Sequence, residues 1–327
     1  MLYKKIKDIL GDDLEKVGQI MRRSLGSDIG LLNSTNEAVL SHSGKQLRPI
    51  LTILVARACS GGSSTSDTLK CAAAVELLHN ATLLHDDVAD NSSVRRGAPT
   101  VMSLLGPSAA VLLGDYWLIK CIDNILAVDR EPMMVVRTVA KTLSDLAEGE
   151  LLQLEKASSC DTDFSDYKRI IYSKTASLFE ASAVCGAISV DASDVLTQAV
   201  KTYACNLGMA FQVKDDIFDY LGSDSLGKPV GVDLKEQKIT MPLLGALDAA
   251  TSDEAARIRA LVKTISEHPE NAAEVVAFVK SNNGIQAATG VLNGFIAAAV
   301  SALAPIPDCI EKECLVELAR FVGERNK

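Results

Sequence analysis

Leu83-Leu84-His85-Asp86-Asp87-Val88-Ala89-Asp90, followed five residues past its end by Arg95-Arg96, is the stretch on which the reading of this chain turns. On a helix Asp86 and Asp90 are one turn apart, so both carboxylates leave the same face with Asp87 beside them, a set of hard oxygen donors suited to Mg²⁺. One such cluster carries little weight. A second, Asp215-Asp216-Ile217-Phe218-Asp219, stands 129 residues downstream with the same two spacings, again inside an apolar helical pattern. With the two helices facing each other across a cleft, so many carboxylates repel unless divalent cations and basic side chains are supplied. The acids themselves imply a metal.

The composition around these motifs is that of closely packed helices. The chain has 327 residues without a composition break, which predicts a single domain over residues 1–327. Apolar residues make up 48% and aromatic residues 4%, so the core is built from Ala, Leu, Val and Ile and suits helix–helix packing better than a β-sandwich. A net charge of -9 with no spread basic patch excludes a nucleic-acid surface. The eight cysteines are scattered through apolar helical runs with no Cys-x-x-Cys pair, and read as small buried residues in a reducing cytoplasm. Residues 1–25 are charged and amphipathic rather than a signal peptide. No run of about 18 uninterrupted apolar residues marks a membrane span, so no integral membrane segment is expected.

Along the chain, Ile6, Ile9, Leu10, Leu14, Val17, Ile20 and Met21 predict one amphipathic helix over 4–25, ended at Gly26. Gly44-Lys45-Gln46-Leu47-Arg48-Pro49 then sets two cations ahead of a buried helix. The first acidic helix is predicted over 67–91, with His79 two turns before Asp86 on the same face and Arg95-Arg96-Gly97 in the turn that follows. Helices over 108–128 and 131–156 carry Gly114-Asp115-Tyr116 and Glu148-Gly149-Glu150 with Gln153. Asp163 caps a helix over 164–190 that breaks or bends at Ser173-Lys174-Thr175. The second acidic helix, 194–221, opens into the longest loop, 223–238, whose length fits a lid or phosphate clamp. Short Ala-rich helices fill the rest, separated at His268-Pro269, Asn282-Asn283-Gly284 and Pro305-Ile306-Pro307. No strand pattern of period two persists, and no fixed-period repeat is present.

The inventory is two triple-carboxylate clusters, six nearby cations (Lys45, Arg48, Arg95, Arg96, Lys174, Lys238) and otherwise apolar helices. Carboxylates attract Mg²⁺, Mg²⁺ and basic side chains attract diphosphates, and apolar helices accept a hydrocarbon, so the implied substrate is an oily diphosphate. No Ser-His-Asp grouping, phosphate-binding Gly-rich loop or zinc-type spacing competes. Gly-Lys-Gln-Leu-Arg-Pro at 44–49, the acidic motif at 83–90, Arg-Arg-Gly at 95–97, Gly-Asp-Tyr at 114–116, Lys-Thr at 174–175, Phe-Gln-Val-Lys-Asp-Asp-Ile-Phe-Asp at 211–219, Gly-Lys-Pro at 227–229 and Lys238 occur in that order. In this series the chain resembles the trans-isoprenyl diphosphate synthases, and among them the medium- to long-chain polyprenyl diphosphate synthases. The likeness runs from Gly44 to the basic C-terminus at Arg325.

That resemblance implies the isoprenoid synthase fold, an all-α bundle of ten or more helices around a central catalytic cavity. It also implies a cytoplasmic homodimer, with peripheral membrane contact at product release. Asp86, Asp90 and Asp215 would bind three Mg²⁺ ions, supported by Asp87, Asp216 and Asp219. Arg95, Lys174, Gln212 and Lys238 would grip the allylic diphosphate, with Lys228 in the same substrate-binding set, while Lys45, Arg48, His79 and Arg96 would hold isopentenyl diphosphate. The reaction implied is ionisation of the allylic diphosphate, attack by the isopentenyl double bond and loss of a proton. Thr175 and Gln212 either turn their dipoles toward the cation or are engaged in core hydrogen bonding. Gln46 stands where many relatives carry Arg, and Lys214, uncommon beside the second motif, is expected to face the surface. Ala81 and Thr82, one turn before the first motif, are small where short-chain relatives tend to hold an aromatic floor, so a product longer than farnesyl, of the kind used as a quinone side chain, is expected. The alternatives are a short-chain geranyl, farnesyl or geranylgeranyl diphosphate synthase, in which Ala81 is small merely for helix packing, and a non-catalytic partner subunit. Such subunits tend to lose one acidic motif, and a class I terpene cyclase would lack the second; here both are intact.

Overall fold

A computed structural model describes residues 2–42, 44–221 and 231–325, and among these the chain is helical almost throughout, as its periodicity predicts. It gathers into two compact units, one of Met1–Ala140, Ala181–Lys201 and Ala304–Leu315, the other of Lys141–Glu180, Thr202–Leu303 and Val316–Lys327.

In the first unit, α1 (Leu2–Leu10) and α2 (Asp13–Leu25) replace the single helix expected over 4–25. Gly11 takes a left-handed φ of 58° and breaks the backbone there. The apolar stripe Ile6, Leu10, Val17, Met21 and Leu25 stays buried across that break, which is why periodicity did not reveal it. Next come α3 (Gly30–Ser41) and α4 (Leu47–Ser60), the latter buried from Pro49 to Ala56. The first acidic helix is α5 (Ser66–Ala89). It starts in a capping box, Thr65 and Thr68 each bonding the other's backbone, and ends where Asn91 turns left-handed at φ 49°. Its Ala72-Ala73-Ala74 segment is fully buried, small side chains that let neighbouring helices come close. A two-residue hairpin, β1 (Val94–Arg95) with β2 (Ala98–Pro99), follows, its turn made by Arg96 and Gly97 at positive φ. After α6 (Val101–Leu105), α7 (Pro107–Leu126) packs along α5.

The second unit takes α8 (Pro132–Ser159) from Lys141 onward, then α9 (Phe164–Ile171), a π-helical turn (Tyr172–Ala176), α10 (Ser177–Ile188) as far as Glu180, and α11 (Asp194–Leu221) from Thr202. Asp163 caps α9 as expected, in a reciprocal box with Asp166. The bend expected at Ser173-Lys174-Thr175 is the π-turn, one extra residue in the helical winding. Two glycines admit it. A Cβ at Gly149 on α8 would stand 2.5 Å from the Ser173 Cβ, and one at Gly208 on α11 would stand 2.5 Å from the Ala176 Cα.

Within the loop expected over 223–238 the structure forms a short helix, α12 (Val232–Lys235). Its start is fixed by Asp219, whose two carboxylate oxygens accept the N–H groups of Val232 (2.9 Å) and Asp233 (3.2 Å). Then come α13 (Met241–Asp248), α14 (Ser252–Lys263), α15 (Asn271–Ser281), α16 (Gly284–Ala302) and α17 (Ile310–Glu324), with breaks at the three expected places and one more, over 249–251, that the sequence reading did not mark. By length and composition α16 is long and apolar enough to cross a membrane, and 17% of its 18-residue window is buried. Gln286, Thr289 and Asn293 interrupt the apolar run, but no charged residue does, so the mean hydropathy stays at 1.4.

Candidate active site

In the first acidic motif the three carboxylates face different surroundings. Asp90 is exposed and Asp86 half-buried, whereas Asp87 is 5% exposed and accepts from Arg95 Nε at 2.6 Å. Asp87 therefore braces the hairpin arginine against α5, and the outward pair left by the spacing is Asp86 and Asp90. His85 leans on α7, where any side chain at Gly114 would run into its ring and Asp115 lies 3.3 Å from Nε2. The Gly-Asp-Tyr motif thus serves the α5–α7 contact. Ala81 is 1% exposed, and Thr82 is half-buried with its hydroxyl bonded to the His79 carbonyl at 2.9 Å.

Behind this face, α4 and α5 enclose a charged group. Glu76 is 2% exposed, and burial pushes its carboxyl up to about 7 against the opposing pull of Arg48 and Arg96. Arg48 is itself pushed down to about 10 by burial, with Glu76 resisting. Burial, then Arg48, Arg96 and Arg95, hold the His79 imidazole far below its ordinary value, so it stays neutral and acts as a hydrogen-bonding group. Arg96 donates to the His42 carbonyl at 3.0 Å, and its guanidinium lies where a Gly44 side chain would go. Lys45 is exposed, its ammonium 5.2 Å from the Tyr3 ring centroid. Of the four groups read from sequence as one pocket, Arg48, His79 and Arg96 share one electrostatic neighbourhood, and Glu76 is the member that was missed. Its signal was a glutamate inside an otherwise apolar buried run.

The second motif repeats the pattern. Asp215 has a side chain 44% exposed, while Asp216 is 2% exposed and braced at both oxygens, by Gln212 Nε2 (3.0 Å) and the Tyr167 hydroxyl (2.6 Å). Gln212, fixed in this way, accepts from the Thr175 hydroxyl at 2.7 Å. The π-turn that exposes Lys174 thereby holds Thr175 against α11 in the core hydrogen bond that was one of its two readings. Burial pushes Asp216 up to about 7, with Asp233 adding to the rise, and pushes Asp233 itself up to about 6. Asp219 is spent on α12. Lys174 pairs with Glu150 at 2.8 Å, and Lys238 with Glu236. Lys174, Gln212, Asp216 and Lys238 line one cavity of about 150 Å³, together with Gln153 and Asp233, which sequence reasoning had not placed there. Lys228 lies outside the described residues. Lys214 does not face the surface: its ammonium reaches the Gly323 carbonyl at the end of α17, 2.8 Å away.

The sequence profile described as Polyprenyl synthetase matches residues 30–279. The chain belongs to the polyprenyl synthetase family. It is a polyprenyl diphosphate synthase, and hence a prenyltransferase. The synthase is 34% identical to the octaprenyl diphosphate synthase of Haemophilus influenzae over all of this chain and 98% of that protein. Its fold matches a decaprenyl diphosphate synthase from Rhodobacter capsulatus with a TM-score of 0.91, at 33% identity over 99% of both chains. It also matches a polyprenyl synthase from Caulobacter crescentus complexed with calcium and isoprenyl diphosphate, with a TM-score of 0.89 and 31% identity over 99% of this chain and 98% of that one.

The donor set of the synthase fits a divalent metal of a particular kind. Among the described residues no three His, Cys, Asp or Glu side chains converge to cage an ion. Each motif instead offers outward oxygen donors, and Mg²⁺ commonly takes one or two carboxylates and completes its shell with water and substrate phosphate. The carboxylates of this chain suit an ion shared with a diphosphate.

Proposed function

We propose that the enzyme condenses an allylic diphosphate with isopentenyl diphosphate, head to tail and under Mg²⁺, into a trans-polyprenyl diphosphate longer than farnesyl, a quinone side-chain precursor. The observation that carries this is the layout found twice: a motif whose first aspartate stands outward while its second is buried and braces a neighbouring group, Arg95 in one case and Gln212 in the other. Asp86, Asp90 and Asp215 would hold three Mg²⁺ ions, with Asp87, Asp216 and Asp219 supporting them. Mg²⁺, when bound, neutralises the diphosphate and favours its departure. Arg95, Lys174, Gln212, Lys228 and Lys238 grip that diphosphate. Lys45, Arg48 and Arg96 hold isopentenyl diphosphate with neutral His79 as a hydrogen-bonding partner. The apolar helices exclude water from the allylic cation. Ala81 and Thr82, neither of them bulky, leave room for a lengthening chain.

The enzyme acts as one synthase domain in the cytoplasm, where its eight free cysteines stay reduced, with membrane contact only at product release. A homodimer belongs to the same reading, supported by the exposed apolar stripe of Leu112, Ile119, Ile122 and Leu126 on α7. The test is steady-state kinetics. Asp86→Ala and Asp215→Ala should each lower turnover by roughly a thousandfold or more, since each removes a ligand for the charge that drives ionisation. Lys45→Ala and Arg48→Ala should chiefly raise KM for isopentenyl diphosphate. Equal effects of the latter pair on both substrates would contradict the two-pocket assignment.

A further inference from the structure

Asp215 is the one carboxylate of the second motif left outward, and a cation already stands on it. Arg325, one residue beyond α17, donates from Nη2 to Asp215 Oδ1 at 2.6 Å and to the Phe211 carbonyl at 3.0 Å. Its guanidinium lies over the Phe211 ring, 4.0 Å from the centroid, and its side chain is only 10% exposed. The turn that carries it is pinned by Lys214, which donates to the Gly323 carbonyl and lies over Phe218, 5.0 Å from the ring centroid. That contact sets a positive charge on the negative end of α17. Lys214 and Arg325, which the site described above leaves without a task, are thus two parts of one attachment of the C-terminal turn to α11. The attachment is incomplete at its tip. Arg325 Nε is buried with no hydrogen-bond partner among the described residues, so the guanidinium is not saturated where it sits.

We infer that Arg325 is the tethered counter-cation of Asp215, occupying that carboxylate until a divalent metal displaces it. This rests on the reading of Asp215 as a metal ligand. A guanidinium and a divalent ion repel each other and compete for the one negative charge of Asp215, so weakening the Arg325–Asp215 contact is part of the cost of loading the site, and removing the arginine lowers that cost. Lys214 and Phe211 keep the guanidinium near after it lets go, so the exchange is reversible.

The experiment is titration of the whole enzyme with Mn²⁺ alone, without substrate, the free ion being read by electron paramagnetic resonance. Arg325→Gln keeps most of the reach and loses the charge. It should tighten Mn²⁺ binding by roughly three- to fivefold, the upper part of the range expected for losing a competing, partly exposed ion pair. Arg325→Lys, which keeps a cation, should stay within about twofold of wild type, and circular dichroism checks that both variants are folded. A purely structural Arg325 predicts the opposite sign, with Gln weakening binding as the C-terminal turn loosens. Asp215→Asn separates the two claims. If it leaves Mn²⁺ binding unchanged, the metal-ligand reading is wrong. If it weakens binding but Arg325→Gln gives no tightening in the wild-type background, the counter-cation inference is overturned while the metal reading stands. In the Asp215→Asn background, Arg325→Gln should have no further effect.

Discussion

Glu76 lies on α5, 2% exposed, with Arg48 and Arg96 as its charged neighbours, and burial outweighs their pull so that its carboxyl rises from 4.5 to about 7. A carboxyl whose folded value is raised binds its proton more tightly when folded, so its contribution to stability is full below about 4.5 and is lost as pH climbs toward 7. Denaturant unfolding at pH 5 and pH 8 should show wild type losing stability across that interval, and Glu76→Gln losing less of it, by on the order of 2–3 kcal/mol. Asp216 and Asp233, raised to about 7 and about 6, leave a residual slope in both proteins. Parallel pH curves for the two proteins would contradict this account of Glu76. At this scale the placing of the two acidic motifs on helices was legible from spacing alone, because i, i+4 carboxylates share a helix face. What was not legible was direction. Nothing in the sequence says that Asp87 and Asp216 turn inward, that Asp219 holds the start of α12, or that Lys214 reaches the end of α17 rather than solvent. Those facts depend on partners 8 to 109 residues away along the chain.

Among the elements, the π-turn at Tyr172–Ala176 does the positioning, since it presents Lys174 to the cavity while Thr175 bonds to Gln212. It fits because Gly149 and Gly208 let α8 and α11 approach it. Gly149→Ala, whose Cβ would come within 2.5 Å of the Ser173 Cβ, should cost about 1–3 kcal/mol of stability, read by thermal unfolding. It should also lower kcat by displacing Lys174. A variant with unchanged melting temperature and turnover would show that the close approach has no such role. The sequence revealed an interruption at Ser173-Lys174-Thr175, because polar residues break the apolar run there. It did not reveal a π-turn, since five residues are too few to separate one helical period from another. The same limit hid the break at Gly11 and the short helix at Val232–Lys235.

For the molecule as a whole, the absence of any sustained period-two pattern and the low aromatic content were enough to give an all-α chain, and the order of the motifs was enough to give the family. Assembly was not readable, because an exposed apolar stripe looks in sequence like any other helix face. On α7, Leu112 is 68% exposed and Ile119 53% exposed, one heptad apart. Leu112→Glu with Ile119→Glu should therefore convert a dimer to a monomer in sedimentation velocity; a dimer that persists places the interface elsewhere. The central claim is the reaction and the length of its product, and chromatographic sizing of the products made from farnesyl diphosphate and excess isopentenyl diphosphate with Mg²⁺ tests it most directly. The account predicts wild-type products well beyond fifteen carbons and shorter ones from Ala81→Phe; no extension of farnesyl diphosphate, or a Phe variant with unchanged products, would contradict it.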